Sequence, residues 1–234
     1  MRRTLLGSLL CFATACPSSG ATDSETDTDA ESSSSSSSSS ESSSSSGSLP
    51  MCEEGDLAIP FGTAIEVSGE LESGEWADAV QITIPVQSTN VNVALKHDGE
   101  NLMIAYGPLA DEGLILFAEV LIDPLNDKSV MFGADDWWFH ARENEECSAQ
   151  GSFDAWEECA EDIEGWEVNE GLIGPPNTAE FMIPFALLGV DLGEQCEVGL
   201  LLRITNTQTV HEHFPPTGVS DEPSTWATVS LAPQ

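Results

Sequence analysis

From Ile82 onward apolar and polar residues alternate with a period of two, broken at short intervals by turn residues. Val91, Val93 and Leu95 alternate with Asn92, Ala94 and Lys96. Asp98-Gly99 then supplies a hairpin turn, and Leu102, Ile104 and Tyr106 resume the pattern. Leu114–Asp123 reads as a longer strand, with Leu116, Ala118, Val120 and Ile122 inward and Glu119 and Asp123 outward. Asp136–Arg142 sets Trp137, Phe139 and Ala141 on one face and Trp138, His140 and Arg142 on the other. Phe181, Ile183 and Phe185 form another inward set, as do Val198, Leu200, Leu202 and Ile204, and Trp226–Leu231 closes the series. Helical periodicity is confined to Phe185–Leu188, stopped by Gly189. About nine or ten strands without crossover helices predict an all-β, antiparallel β-sandwich. Trp76, Trp137 and Trp226 are expected in its core.

The first 50 residues have a different character. Arg2 and Arg3 precede a short apolar stretch, Leu5–Ala15, which reads as a signal peptide over residues 1–15. Ala13-Thr14-Ala15 suits ordinary signal peptidase. The small residue before Cys16 resembles a lipobox, with Cys16 as the lipidated residue. Residues 16–50 are a Ser-rich acidic tether in which Ser32–Ser40 and Ser42–Ser46 are homopolymeric, with nothing apolar to bury. The domain is expected over residues 51–234. The localisation this implies is export, with a lipid anchor at the outer membrane or cell surface.

Charge excludes whole classes of partner. Six Lys+Arg against 41 Asp+Glu give a formal net charge of −35, which argues against nucleic acid and leaves the lipid anchor as the sole route to a membrane. Beyond Arg3 the cations are Lys96, Lys128, Arg142 and Arg203; Arg142 and Arg203 are each expected to pair with a neighbouring carboxylate. Cys52, Cys147, Cys159 and Cys196 are an even set in an oxidising compartment and suggest two disulfides. Cys147 with Cys159 and Cys52 with Cys196 is one of the three possible pairings. No Cys or His spacing suits zinc. His211 and His213 share one side of an extended segment but lack an identifiable third ligand. Asp123, Asn126 and Asp127 are oxygen donors of the kind calcium takes, yet a simple Asp/Asn turn accounts for them. No metal site or cofactor is assigned, calcium being the one ion left open. Nucleophile-elbow, zincin, P-loop and dinucleotide signatures are absent, so an enzyme is not expected.

Six segments follow one another in an order that resembles the carbohydrate-binding module family 9-like domains of the DOMON superfamily. They are Ser68–Ala79 (SGELESGEWADA), Lys96–Tyr106 (KHDGENLMIAY), Ala118–Pro124 (AEVLIDP), Asp135–Arg142 (DDWWFHAR), Ala179–Gly189 (AEFMIPFALLG) and Pro223–Leu231 (PSTWATVSL). The resemblance spans about Ile65 to Leu231 and implies a β-sandwich whose sugar-binding members use acidic, basic and amide side chains on one sheet face between two Trp rings. Carried over by position, the acidic contact falls on Glu119, and the basic and amide contacts fall on His140 and Arg142. The stacking positions fall near Gly113 and Ser220, where no aromatic stands; Trp138 reads either as a replacement platform or as a ring buried beneath a second layer, and Trp156 and Trp166 follow in the next loop.

The function these readings imply is non-catalytic binding of a polysaccharide or cell-envelope glycan by Glu119, Trp138, His140 and Arg142. Two other classes compete with it. One is a structural or adhesion module without sugar binding. The other is haem binding of the kind some relatives show, for which His140 and Met103 offer ligand types on outward strand positions.

Overall fold

The computed structural model describes residues 55–72, 74–86, 89–111, 114–142, 145–151, 164–170, 178–206 and 211–233. The signal segment, the lipidation residue Cys16, the tether, Cys52, Trp156 and Cys159 lie outside them. Among the described residues thirteen strands form two sheets. The larger runs β1 (Leu57–Ile59), β13 (Ala227–Leu231), β11 (Glu197–Asn206), β6 (Leu114–Asp123), β7 (Trp137–Arg142) and β8 (Glu145–Gln150). β12 (His211–Phe214) pairs with the far half of β11, and β5 (Ala110–Asp111) with β6. The smaller sheet runs β2 (Val80–Val86), β3 (Thr89–His97), β4 (Asn101–Gly107), β10 (Ala179–Pro184) and β9 (Glu167–Glu170). Strand pairing is antiparallel except for β1 on β13. The sandwich is therefore the one the alternation predicts. The strands beyond the expected nine or ten are pieces such as β1, β5, β9 and β12, too short to show a period.

Side chains at every second position build the core between the sheets. Leu116, Ala118, Val120 and Ile122 of β6 meet Trp137 and Phe139 of β7, Val198 to Ile204 of β11, and Val93, Ile104 and Phe181 of the facing sheet. The β3–β4 hairpin closes as expected: Gly99 takes φ 96°, a value that favours glycine, and Asp98 Oδ1 accepts the N–H groups of Glu100 and Asn101. The short helix α1 (Phe185–Leu188) ends at Gly189 in the left-handed conformation, φ 72°.

The outer faces are sealed as well. On the smaller sheet Trp76 packs with Met103 and Ala105, and the segment that carries it is latched by two charged residues at outward strand positions. Lys96 Nζ donates to Glu75 O (2.6 Å) and Asp78 Oδ1 (2.9 Å), while Glu180 accepts from Trp76 Nε1 (3.1 Å) and from the Ser68 and Gly69 N–H groups (3.0 and 2.8 Å). On the larger sheet Leu121, Trp138, Leu201 and Trp226 form a second apolar layer with Phe132. Of the three tryptophans expected in the core, only Trp137 lies between the sheets; Trp76 and Trp226 seal the two outer sides.

Leu200→Ala should cost about 2–5 kcal/mol in urea denaturation, since its cavity opens between two sheets that cannot collapse independently. Leu125→Ala, at a loop position 61% exposed, should change stability by no more than about 0.5 kcal/mol.

Candidate functional site

The register of the larger sheet lines up four polar residues across four strands. His213 of β12 stands opposite Arg203 of β11, Arg203 opposite Glu119 of β6, and Glu119 opposite His140 of β7. Directly opposed residues share a face, and this face is the one turned away from Leu202, Val120 and Phe139. Alternation thus delivers a polar row on the outer side of the central strands.

Glu119 is its hub. Oε2 accepts the Trp138 indole N–H (2.9 Å) and Arg203 Nη1–H (3.0 Å); Oε1 accepts the Thr205 hydroxyl (2.7 Å). His140 Nδ1 lies 3.6 Å from Oε1, an ion-pair distance too long for a hydrogen bond. Behind the strand, Tyr106 of the facing sheet donates to the Glu119 carbonyl (2.8 Å). Burial alone would raise the Glu119 carboxyl; contact with His140, the Arg203 charge and the Trp138 N–H outweigh it and hold the group at about 2. Burial likewise lowers the Arg203 guanidinium from its ordinary range, with Glu119 opposing.

Three of the four residues singled out from the sequence, Glu119, Trp138 and His140, are brought together. Arg142 follows on the same face at the end of β7, its side chain outside the described residues. The expected exposure of Glu119 and His140 is corrected, and of the two readings of Trp138 burial is the one found: each is 1% exposed. The reason is the second layer. Trp138 stacks on His140 (centroids 5.2 Å apart, planes at 17°) and packs among Leu121, Leu201 and Trp226, so it is not a free platform. Trp166 turns into the core, its ring against Phe139 and Phe181. Arg203 and Thr205 complete the cluster. Arg203 pairs with a carboxylate as expected, but its place in the row was legible only as an outward position between Leu202 and Ile204.

The structure does not bring together the two haem-ligand types noted in the sequence. Met103 lies on the outer face of the smaller sheet beside Trp76, and His140 on the outer face of the larger one, so two layers of strands separate the proposed axial pair. The turn reading of Asp123, Asn126 and Asp127 holds: Asp123 accepts the Asp127 and Lys128 N–H groups, and Asp127 accepts that of Ser129. Asp123 also faces Asp136, whose carboxyl is raised to about 7 by burial, with Asp123, Asp135 and Asp127 adding to the effect. Cys196 is a disulfide cysteine, and neither of the expected pairings is tested. The side chain of Cys147 lies outside the described residues.

No family model and no curated protein matches the chain. Solved structures do. A family 9 carbohydrate-binding module from Caldicellulosiruptor kristjanssonii in complex with cellotriose superimposes with a TM-score of 0.57 at 13% identity, over 76% of this chain and 94% of the module. The same organism's module in complex with glucose gives 0.56 at 14% identity, over 76% and 96%. The chain has the β-sandwich fold of these modules.

Because the folded-state carboxyl of Glu119 lies below its ordinary value of 4.5, the stability it confers is complete above that pH. It is lost as pH falls from about 4.5 to about 2, and amounts to on the order of 3 kcal/mol. Glu119→Gln should therefore lower stability at pH 7 and flatten this acid limb relative to the wild type; superimposable urea midpoints from neutral to acid pH would refute the assignment.

Proposed function

We propose that this chain is a non-catalytic carbohydrate-binding β-sandwich carried by an exported lipoprotein, with its ligand a glycan met at the cell surface. The observation that carries the reading is the likeness, over 76% of the chain, to two modules whose structures hold cellotriose and glucose. The polar row supports the same reading, because planar charged groups fixed in a sheet suit vicinal hydroxyls. Within the Glu119 cluster, Arg203 is the group that reaches water, with 11% of its side chain exposed. Glu119 orients its guanidinium, and His213 lies beside it in register. In this reading Arg203 meets the sugar, Glu119 and His140 position it, and Arg142 extends the same face. Gly113 and Ser220 bring no ring to stack on, so the affinity expected is modest.

One observation favours a second reading, a structural or adhesion module. The Glu119 oxygens are already engaged by Trp138, Arg203 and Thr205, an arrangement that also serves as an internal brace.

Affinity electrophoresis over a panel of soluble β-glucans and envelope glycans separates the two. Sugar binding requires that the wild type be retarded by at least one glycan and that Arg203→Lys, which keeps the charge but loses the planar fork, bind it about tenfold more weakly. An unretarded wild type across the panel leaves the brace as the function of the row. The anchor is tested separately: Cys16→Ala should release the protein from the membrane fraction, and mass spectrometry of the wild type should find an acylated Cys16.

A further inference from the structure

We infer that the outer face of the larger sheet, along the row His213–Arg203–Glu119–His140, takes a glycan with isolated carboxylates: a uronate residue on an otherwise neutral chain. The inference rests on the sugar-binding reading of that face and names the ligand's chemical class.

The observation behind it is where the chain has put its basic groups. Beyond Arg3 there are four cations, Lys96, Lys128, Arg142 and Arg203, and four histidines. Strand register places five of these eight on one part of one sheet face, past the apolar layer of Leu201, Leu121 and Trp138. Arg203 and His213 stand opposite each other on β11 and β12, and His211 stands opposite Thr205, two residues before His213. On β7 His140 stands opposite Glu119, and Arg142 follows two residues further on. The carboxylates that share these positions are Glu119 and Glu145, the latter opposite Arg142 on β8. Two guanidinium groups and three imidazoles against two carboxylates reverse the charge balance of a chain with 41 acids and a net charge of −35. The other basic groups are engaged elsewhere. Lys96 is held by Asp78 and the Glu75 carbonyl, Lys128 by the Trp226 carbonyl, and His97 Nε2–H donates to Ala232 O at 2.9 Å.

Arg203 is the group an anion would meet. Its side chain is 11% exposed, and His213 opposite it is half-buried. Glu119 does not exhaust it. Of about four lone-pair sites on that carboxylate, the Trp138 N–H and the Thr205 hydroxyl occupy two, leaving about two for the five N–H donors of a guanidinium. His140 Nδ1, 3.6 Å from Glu119 Oε1, draws on the same negative charge. Hydroxyls of a neutral sugar gain little over water in such a place. A carboxylate forms charge-assisted bonds about twice as strong and fits a planar fork with both oxygens. The surrounding acids set the other limit. Their field reaches about 8 Å at physiological salt, so one carboxylate against Arg203 is held by contact while further charges along the ligand are repelled.

The test is affinity electrophoresis of the whole protein against two matched polymer series. One is a soluble β-1,4-glucan with none, few or most of its glucose residues oxidised at C6 to glucuronate. The other is a galacturonan whose carboxylates are wholly, mostly or not esterified. In at least one series the sparsely charged member should bind about tenfold more tightly than its neutral parent, the difference between a charge-assisted and a neutral contact. It should also bind more tightly than the densely charged member. Arg203→Lys should weaken this binding about tenfold. His213→Gln, at a half-buried position, should weaken it in the same direction and serves should Arg203→Lys fail to fold. Equal binding of sparsely charged and neutral members would overturn the uronate class and leave the sugar-binding reading standing, whereas no retardation by any member would remove both. Tightest binding by the densely charged members, or equal retardation by polyglutamate, would overturn the inference by showing that negative charge alone suffices.

Discussion

A carboxylate taken out of water must be held by donors, and in this sandwich that requirement falls on Glu119 in the middle of the larger sheet. Removing an unpaired carboxylate from water costs several kcal/mol. Glu119 avoids the penalty because its two flanking strands present Arg203 and His140 at the same level, with Trp138 and Thr205 one step along on either side. The cluster and the strand register therefore depend on each other. A one-residue slip of β11 against β6 would turn Arg203 into the core and Leu202 out of it, losing the ion pair and the apolar contact together.

The smaller sheet solves the same problem with other residues. Lys96 and Glu180 also stand at outward positions and are also fully buried, and each is satisfied by the segment that folds over it. Trp76 connects the two latches: its indole N–H meets Glu180, and Lys96 Nζ lies 5.3 Å from its ring centre. Each sheet thus has a core face built of aliphatic and aromatic side chains and an outer face closed by tryptophan over a charged residue. A sealed outer face on both sides explains why so acidic a chain still buries Lys96 and most of Arg203. They are the counter-charges that let carboxylates lie under the covering segments.

Much of this was legible in the sequence, but only along one dimension. Period-two alternation assigned Leu116, Ala118, Val120 and Ile122 to one face and Glu119 to the other, gave β6 its bounds, and placed the Asp98-Gly99 turn and the helical turn before Gly189. It reports which side of a strand a residue faces and nothing about what lies above that side. The covering segments, residues 65–72, 124–136 and 215–226, have no periodic pattern, so Glu119 and His140 read as wet when they are buried, and Trp138 could be read either way. Partnerships across long stretches of chain were equally silent: Glu119 and Arg203 are 84 residues apart. Resemblance supplied Glu119 and His140 because those positions follow strand motifs, and it passed over Arg203 and Thr205 because their segment carried no matched motif.

The two buried acid clusters show what a scarcity of cations does to such a domain. Glu119 has a guanidinium, an indole N–H and a hydroxyl; Asp136 has a single backbone N–H for two oxygens. Like charges within 4.8 Å repel by on the order of 3 kcal/mol at an effective dielectric near 20, and three such carboxylates multiply that cost. Of the cations beyond Arg3, Arg203 is committed to Glu119, Lys96 to Asp78 and the Glu75 carbonyl, and Lys128 to the Trp226 carbonyl. The chain that could neutralise Glu119 from within has placed no ammonium or guanidinium against Asp136 among the described residues. Burial, with Asp123, Asp135 and Asp127 adding to it, raises the Asp136 carboxyl to about 7, so it holds its proton well above the ordinary carboxylate range.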